Sequence, residues 1–123
     1  MLQELSKTLK RMGFSASLQG YRYLLYAILL AIQRPEMLHQ ITTFLYPTIA
    51  RKFNVSVSSV ERCIRNAIEI AWLRGDIDFN NELFQYSVNA EKGKPTNAEF
   101  ISVITEYYLF KYGKDEDFKE FFD

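Results

Sequence analysis

Cysteine and histidine are almost absent from the sequence, which has one of each among its 123 residues. A single cysteine cannot form an internal disulfide, and one cysteine with one histidine cannot supply the four ligands of a structural zinc site. We therefore expect no metal site and a reducing, cytoplasmic setting. A chain of this length can bury a hydrophobic core without cross-links, so one folded domain is predicted.

Long hydrophobic runs are also lacking. The longest run, Tyr21 to Ile32, covers twelve residues and contains Arg22. A helix that crosses a membrane needs about twenty apolar residues. The run therefore predicts a buried helix and no membrane partner.

Sequence patterns typical of catalysis are missing as well. There is no glycine-rich phosphate loop, no nucleophile elbow and no pair of catalytic carboxylates at a recognisable spacing. His39 has no second histidine or cysteine at a ligand spacing, and Cys63 falls among packing residues. We predict that the chain is not an enzyme and has no cofactor.

The net charge is zero, but the charge is unevenly distributed. Residues 1–74 have ten basic and four acidic side chains, a balance of +6, whereas residues 75–123 have five and eleven, a balance of −6. The positive part is compatible with a surface that binds a polyanion. Solvated helix faces would give the same balance, so charge alone does not decide between the two.

Apolar residues recur at spacings of three and four along most of the chain, and no stretch alternates as a strand would. We predict an all-α fold, with a folded domain over residues 1–112 and an acidic, aromatic C-terminal tail over residues 113–123. Helices are predicted over residues 2–12, 18–33, 35–44, 47–53, 57–74 and 79–84, and from Pro95–Asn97 to about residue 112.

The segment Ile49 to Ile64 has the spacing of a helix-turn-helix. Ala50 is the small residue needed where the two helices cross, and Asn54 tolerates the left-handed conformation of the turn. Ser56 is a suitable N-cap for the second helix. The apolar anchors predicted for the turn and the second helix are Val55, Val60, Cys63 and Ile64.

The second helix, predicted over residues 57–74, has two faces. At about 100° per residue, one side collects the apolar residues Val60, Ile64, Ala67 and Ala71. The other side has Glu61, Arg62 and Arg65, which we expect to point into solvent. Arginine can donate two hydrogen bonds to guanine, and glutamate can accept one from cytosine. The pattern predicts a recognition helix whose first turns contact bases in the major groove.

Two other interpretations of this helix stay open. Ser58 and Glu61 have the spacing of a capping box, which would turn Glu61 back onto the helix start. Arg62 or Arg65 could instead form a surface ion pair with Glu61 or Glu69.

The C-terminal half of the same helix is apolar nearly all round. Its apolar residues predict that this half is buried in the domain, at Ile68, Ile70, Trp72 and Leu73.

Four blocks of sequence carry a resemblance to a known family. They are L-Y-P-T-I-A-R-K-F (Leu45 to Phe53), V-E-R-C-I-R-N-A-I-E-I-A-W (Val60 to Trp72), R-G-D-I-D (Arg74 to Asp78) and K-P-T-N-A-E-F-I (Lys94 to Ile101). In this order they resemble the C-terminal DNA-binding effector domain of the stage-zero sporulation transcription factor of endospore-forming bacteria. The resemblance covers roughly residues 2 to 112.

The resemblance implies a compact six-helix domain that regulates transcription by binding double-stranded DNA at short promoter boxes. It implies tandem copies or a homodimer on DNA, and contacts with RNA polymerase through about Gly75 to Val88. The residues that match base contacts are Glu61, Arg62 and Arg65. Phosphate contacts are expected from Ser56, Ser58, Ser59, Lys92, Lys94, Thr96 and Asn97. The last four of these lie at the start of the final helix, where the helix dipole favours an anion.

The sequence departs from the family pattern in three ways, one of which is that Asn66 replaces a common histidine on the polar side of the helix. Ser59 stands where members typically have arginine. A receiver domain with a phosphoacceptor aspartate does not precede the matched region, so an orphan effector or an excised domain is expected. This departure and the acidic tail favour an alternative function, in which the fold is a protein-interaction module or antagonist that binds a sporulation regulator or RNA polymerase.

Overall fold

Six α-helices form the part of the chain that the computed structural model describes, residues 2–84 and 93–112. They are α1 (Leu2–Arg11), α2 (Gln19–Gln33), α3 (Tyr46–Phe53), α4 (Val57–Arg74), α5 (Ile77–Phe84) and α6 (Asn97–Tyr112). The predicted all-α fold is confirmed. Most predicted bounds agree to within two residues, and the predicted tail, residues 113–123, lies outside the described residues.

Helix α2 is the centre of the hydrophobic core. It packs against both α4 and α6, and ten of its fifteen residues are buried, as the apolar run in the sequence predicts. Within the described ranges, no helix combines the length and the apolar character needed to cross a membrane.

The prediction of one α-helix over residues 35–44 is wrong. The chain instead forms a 3₁₀ turn, Pro35–His39, followed by a π-helical turn, Ile41–Leu45. Gln40 separates them, because its backbone angles of φ −137° and ψ 43° lie outside the helical region. The apolar spacing is still satisfied, since Met37 and Leu45 are buried.

The predicted helix-turn-helix consists of α3, a three-residue turn and α4. Asn54 has the predicted left-handed conformation, with φ 56° and ψ 52°, and the Val55 N–H donates to the carbonyl oxygen of Ala50 at 3.0 Å. Ala50 is buried and Val55 packs against the core. Ser56 then caps α4, because its hydroxyl accepts a hydrogen bond from the Ser59 N–H at 3.1 Å.

Helices α2 and α4 approach each other closely at Gly20. A Cβ atom at this position would lie 2.7 Å from the carbonyl carbon of Cys63 and 2.8 Å from the Cβ atom of Ala67. Carbon atoms in contact are normally 3.5–4.0 Å apart. Glycine is therefore required at this crossing, which holds the first half of α4 against the core.

Helix α6 closes the other side of the core. Phe100 lies within an aromatic cluster formed by its contacts with Phe14, Trp72 and Phe84. Trp72 is half-buried in this cluster. The C-terminal end of α6 is held by α1 through a hydrogen bond of 2.7 Å between the hydroxyls of Thr8 and Tyr108. These contacts fix the N-terminal end of α6 beside α4.

Candidate nucleic-acid interface

The two faces predicted for α4 are present in the structure. The apolar face is buried at Val60, Ile64, Ala67 and Ala71, which confirms that prediction. On the opposite side Arg62 and Arg65 are exposed and Glu61 is half-buried. We call Glu61, Arg62 and Arg65 the polar face of α4.

The C-terminal half of α4 is less buried than predicted. Ile68 is buried, but Leu73 is 86% exposed. The reason is geometric, because Leu73 follows Arg62 by about three turns and therefore lies on the same side of the helix. Helical periodicity, and not local apolar composition, determined its exposure.

Glu61 and Arg65 form an ion pair along the surface of α4. The Nη1 atom of Arg65 donates to both carboxylate oxygens of Glu61, at 2.6 and 2.8 Å. Both side chains are largely accessible, with 49% of Arg65 and 40% of Glu61 exposed. Glu61 therefore does not turn back onto the helix start, and of the two open alternatives the ion pair is the one that forms. An exposed pair of this kind contributes little to stability.

Arg62 lies one residue after Glu61 and is exposed. Within residues 2–84 and 93–112 it has neither a hydrogen bond nor an ion pair. Its guanidinium group, with five donors, is available to a partner without the loss of an internal contact.

Three hydroxyl groups lie at the N-terminus of α4. Ser56 and Ser58 are exposed, and their oxygens are 3.2 Å apart. Ser59 is half-buried and lies 4.0 Å from the sulfur of Cys63. The two exposed hydroxyls are thus closer to solvent than Ser59, which partly faces the protein.

The loop before α6 lies against α4, and two of its predicted phosphate-binding residues contact α4 directly. The Lys94 Nζ atom is 2.6 Å from a carboxylate oxygen of Glu69. The side-chain amide of Asn97 donates to the backbone carbonyl oxygen of Glu61 at 3.0 Å. Sequence reasoning missed both contacts, because nothing in the local pattern links residues that are 25 and 36 positions apart.

Thr96 begins α6 with a capping box. Its N–H donates to the carboxylate of Glu99, and the Glu99 N–H donates to the Thr96 hydroxyl, both at 3.1 Å. Thr96 is exposed. Lys92, the remaining residue predicted for phosphate contact, lies outside the described residues.

The electrostatic environment between α4 and α6 is reflected in two pKa values. The ammonium group of Lys94, through its hydrogen bond and its charge, lowers the pKa of Glu69. Burial raises the pKa of Tyr46, the first residue of α3, although a hydrogen bond with Asn97 acts in the opposite direction. Lys94 and Asn97 therefore both interact with groups of the helix-turn-helix.

Residues of the loop and of α4 line a common cavity of about 550 Å³. Its lining includes Tyr46, Arg65, Glu69, Lys94 and Asn97. No group of three or more histidine, cysteine, aspartate or glutamate side chains able to hold a metal ion is found in the described parts of the chain.

Comparison with known protein families identifies this arrangement. The family described as "Sporulation initiation factor Spo0A C terminal" matches residues 5–108. The chain belongs to this family. The Spo0A C-terminal family is the DNA-binding effector domain of a sporulation transcription regulator and not an enzyme.

The region shared with the Spo0A C-terminal family contains the complete helix-turn-helix, the polar face of α4 and the loop before α6. The resemblance inferred from the sequence is therefore confirmed, and with it the assignment to DNA-binding regulators of sporulation. DNA binding by this family agrees with the exposure of arginine side chains on α4.

Proposed function

We propose that this protein binds double-stranded DNA in a sequence-specific manner and regulates transcription by reading a short promoter box with the first half of α4. The observation that carries the proposal is the polar face of α4, where two arginines and one glutamate are accessible on a helix whose opposite side is buried in the core. A helix held in this way can enter the major groove with its N-terminal turns.

Each residue of the polar face has a distinct role in the proposal. Arg62 donates to a base edge, since none of the residues in 2–84 and 93–112 competes for it. Arg65 donates to a neighbouring base, while Glu61 orients it or accepts from cytosine. Because the bonds to Glu61 use only Nη1 of Arg65, the other guanidinium donors remain available.

The phosphate contacts are proposed to surround this face. Ser56 and Ser58 lie at the N-terminus of α4, where the helix dipole favours an anion. Ser59, Thr96 and Lys92 complete the expected set. Lys94 contacts a phosphate only after it leaves Glu69, because the two are paired in the free protein.

Protein partners are proposed on a different surface. The side chains of Leu73 and Ile77 are 86% and 64% exposed at the junction of α4 and α5. Exposed apolar side chains of this size favour a protein contact, and their position agrees with a contact to RNA polymerase. Tandem copies or a homodimer on DNA are part of the same proposal.

The same apolar side chains favour the second candidate function, a protein-interaction module or antagonist that does not read DNA. Fluorescence titration of a duplex carrying the family's promoter box, beside a scrambled duplex at two salt concentrations, distinguishes the two functions. Sequence-specific binding should weaken steeply with salt and keep its preference for the box. Equal affinity for both duplexes at both concentrations would reject base recognition and favour the interaction module.

A further inference from the structure

The backbone of α4 is held from outside the helix at the level of its polar face. The Asn97 side-chain amide of α6 donates to the backbone carbonyl oxygen of Glu61 at 3.0 Å. Inside an α-helix this carbonyl also accepts the N–H of the residue four positions later, and a carbonyl oxygen has two lone pairs. The Asn97 bond therefore adds to the helix without replacing an internal bond.

A third helix meets the other two at this point. Tyr46, the first residue of α3, is 5% exposed and lines the same cavity as Asn97 and Glu61. The Asn97 side chain acts on the Tyr46 hydroxyl, whose pKa it lowers against the effect of burial. The Asn97 side chain is thus bonded to α4, and it lines the same cavity as Tyr46 of α3, the other helix of the helix-turn-helix.

The first half of α4 is consequently fixed on two sides. The close approach of Gly20 of α2 at Cys63 holds it against the core, and Asn97 holds the carbonyl two residues earlier in the chain. A contact to the backbone resists both rotation and sliding of the helix. The directions in which Arg62 and Arg65 leave the helix depend on that backbone.

We infer that Asn97 is a positioning residue for DNA recognition, which sets the orientation of the polar face of α4 through the Glu61 carbonyl. This inference rests on the proposed function. It replaces the expectation that the Asn97 side chain serves as a phosphate contact, since its amide is engaged with the protein. Base preference should depend on Asn97 although Asn97 touches no base.

The first test compares Asn97→Ala, Asn97→Leu and the matched control Asn81→Ala, which removes the same side chain from an exposed position on α5. The readout is the affinity for the box duplex and for the scrambled duplex as a function of salt. A positioning role predicts that Asn97→Ala lowers the preference for the box on the order of tenfold. The salt slope should not change, and Asn97→Leu should give a similar loss, because leucine cannot donate to the Glu61 carbonyl either.

A phosphate-contact role for Asn97 gives a different result. A neutral side chain adds no counterion release, so Asn97→Ala would then weaken binding to both duplexes by the same factor and leave the preference unchanged. That outcome overturns the inference. If Asn97→Ala does not fold, Asn97→Leu decides, because leucine is close to asparagine in size but cannot donate to the Glu61 carbonyl.

The second test needs no DNA. Amide hydrogen exchange of residues 57–65 in the free protein should become faster in Asn97→Ala and Asn97→Leu and stay unchanged in Asn81→Ala. Unchanged exchange in the first two variants would overturn the inference. If the unmodified protein shows no preference for the box, the proposed function fails, and the exchange measurement still decides whether Asn97 fixes α4.

Discussion

Replacement of Gly20 by alanine tests whether the close crossing of α2 and α4 determines both stability and DNA recognition. The new Cβ atom would be 2.7 Å from the carbonyl carbon of Cys63, so the helices must separate by about 1 Å to reach normal contact. Overpacking against a rigid backbone costs about 3 kcal/mol. Alanine in a helix is favoured over glycine by about 1 kcal/mol.

The net effect expected is a loss of about 2 kcal/mol in the free energy of unfolding. For a chain of 123 residues this corresponds to a decrease of about 8 °C in Tm. The two contributions have opposite signs, and the steric one is larger. If the close contact with α4 had no effect, the variant would instead be stabilised by the helix propensity of alanine.

The assay is thermal unfolding followed by circular dichroism, with Asn81→Ala on the exposed side of α5 as the control for a single surface change. DNA affinity is measured on the same samples well below Tm. Because Cys63 lies between Arg62 and Arg65, a shift of α4 should also lower the preference for the promoter box. A Tm equal to or above that of the unmodified protein would refute the argument from the helix crossing.

Three further predictions concern single side chains. Arg62→Ala should weaken binding to the box by about 1–3 kcal/mol and relax base preference, and an equal loss on box and scrambled duplexes would reject its role in base recognition. Glu69→Gln should strengthen binding to both duplexes by roughly twofold to fivefold, because it frees Lys94 and removes a negative charge, whereas unchanged or weaker binding would argue against a phosphate contact by Lys94. Burial raises the pKa of Tyr108 above its ordinary value of 10.0. The neutral hydroxyl therefore stabilises the fold below pH 10, and this contribution is lost as the pH rises through the pKa of Tyr108 in the folded state. Tyr108→Phe removes the bond to Thr8 and should cost about 1 kcal/mol at pH 7 but less above pH 10; urea unfolding between pH 7 and pH 11 with a constant difference between the two proteins would contradict this.

Much of the recognition unit could be predicted from sequence because its determinants are local. The bounds of α4 follow from the Ser56 cap and from helical periodicity, and the left-handed turn follows from the tolerance of Asn54 for positive φ. Periodicity also separated the buried and exposed sides of α4. Helical periodicity alone also predicts that Leu73 is exposed, whereas the apolar composition around Leu73 predicts burial.

The break in the segment 35–44 was not predictable in the same way. The apolar spacing of this segment fits an α-helix as well as it fits the tighter 3₁₀ turn and the wider π-helical turn that form. The spacing of apolar residues indicates which side chains face the core, and Met37 and Leu45 are indeed buried. A continuous α-helix and the observed pair of turns differ in the backbone angles of Gln40, and the local sequence does not fix these angles.

The sequence by itself determined the helices, the turn between α3 and α4 and the polar face of α4, because caps, turns and periodicity act over a few neighbouring residues. Only the tertiary structure decided the partners of Lys94 and Asn97, which contact Glu69 and Glu61 of another helix. It also decided that Gly20 is needed at a helix crossing. Such contacts join residues far apart in the chain, and they form only after the core has fixed how α2, α4 and α6 pack.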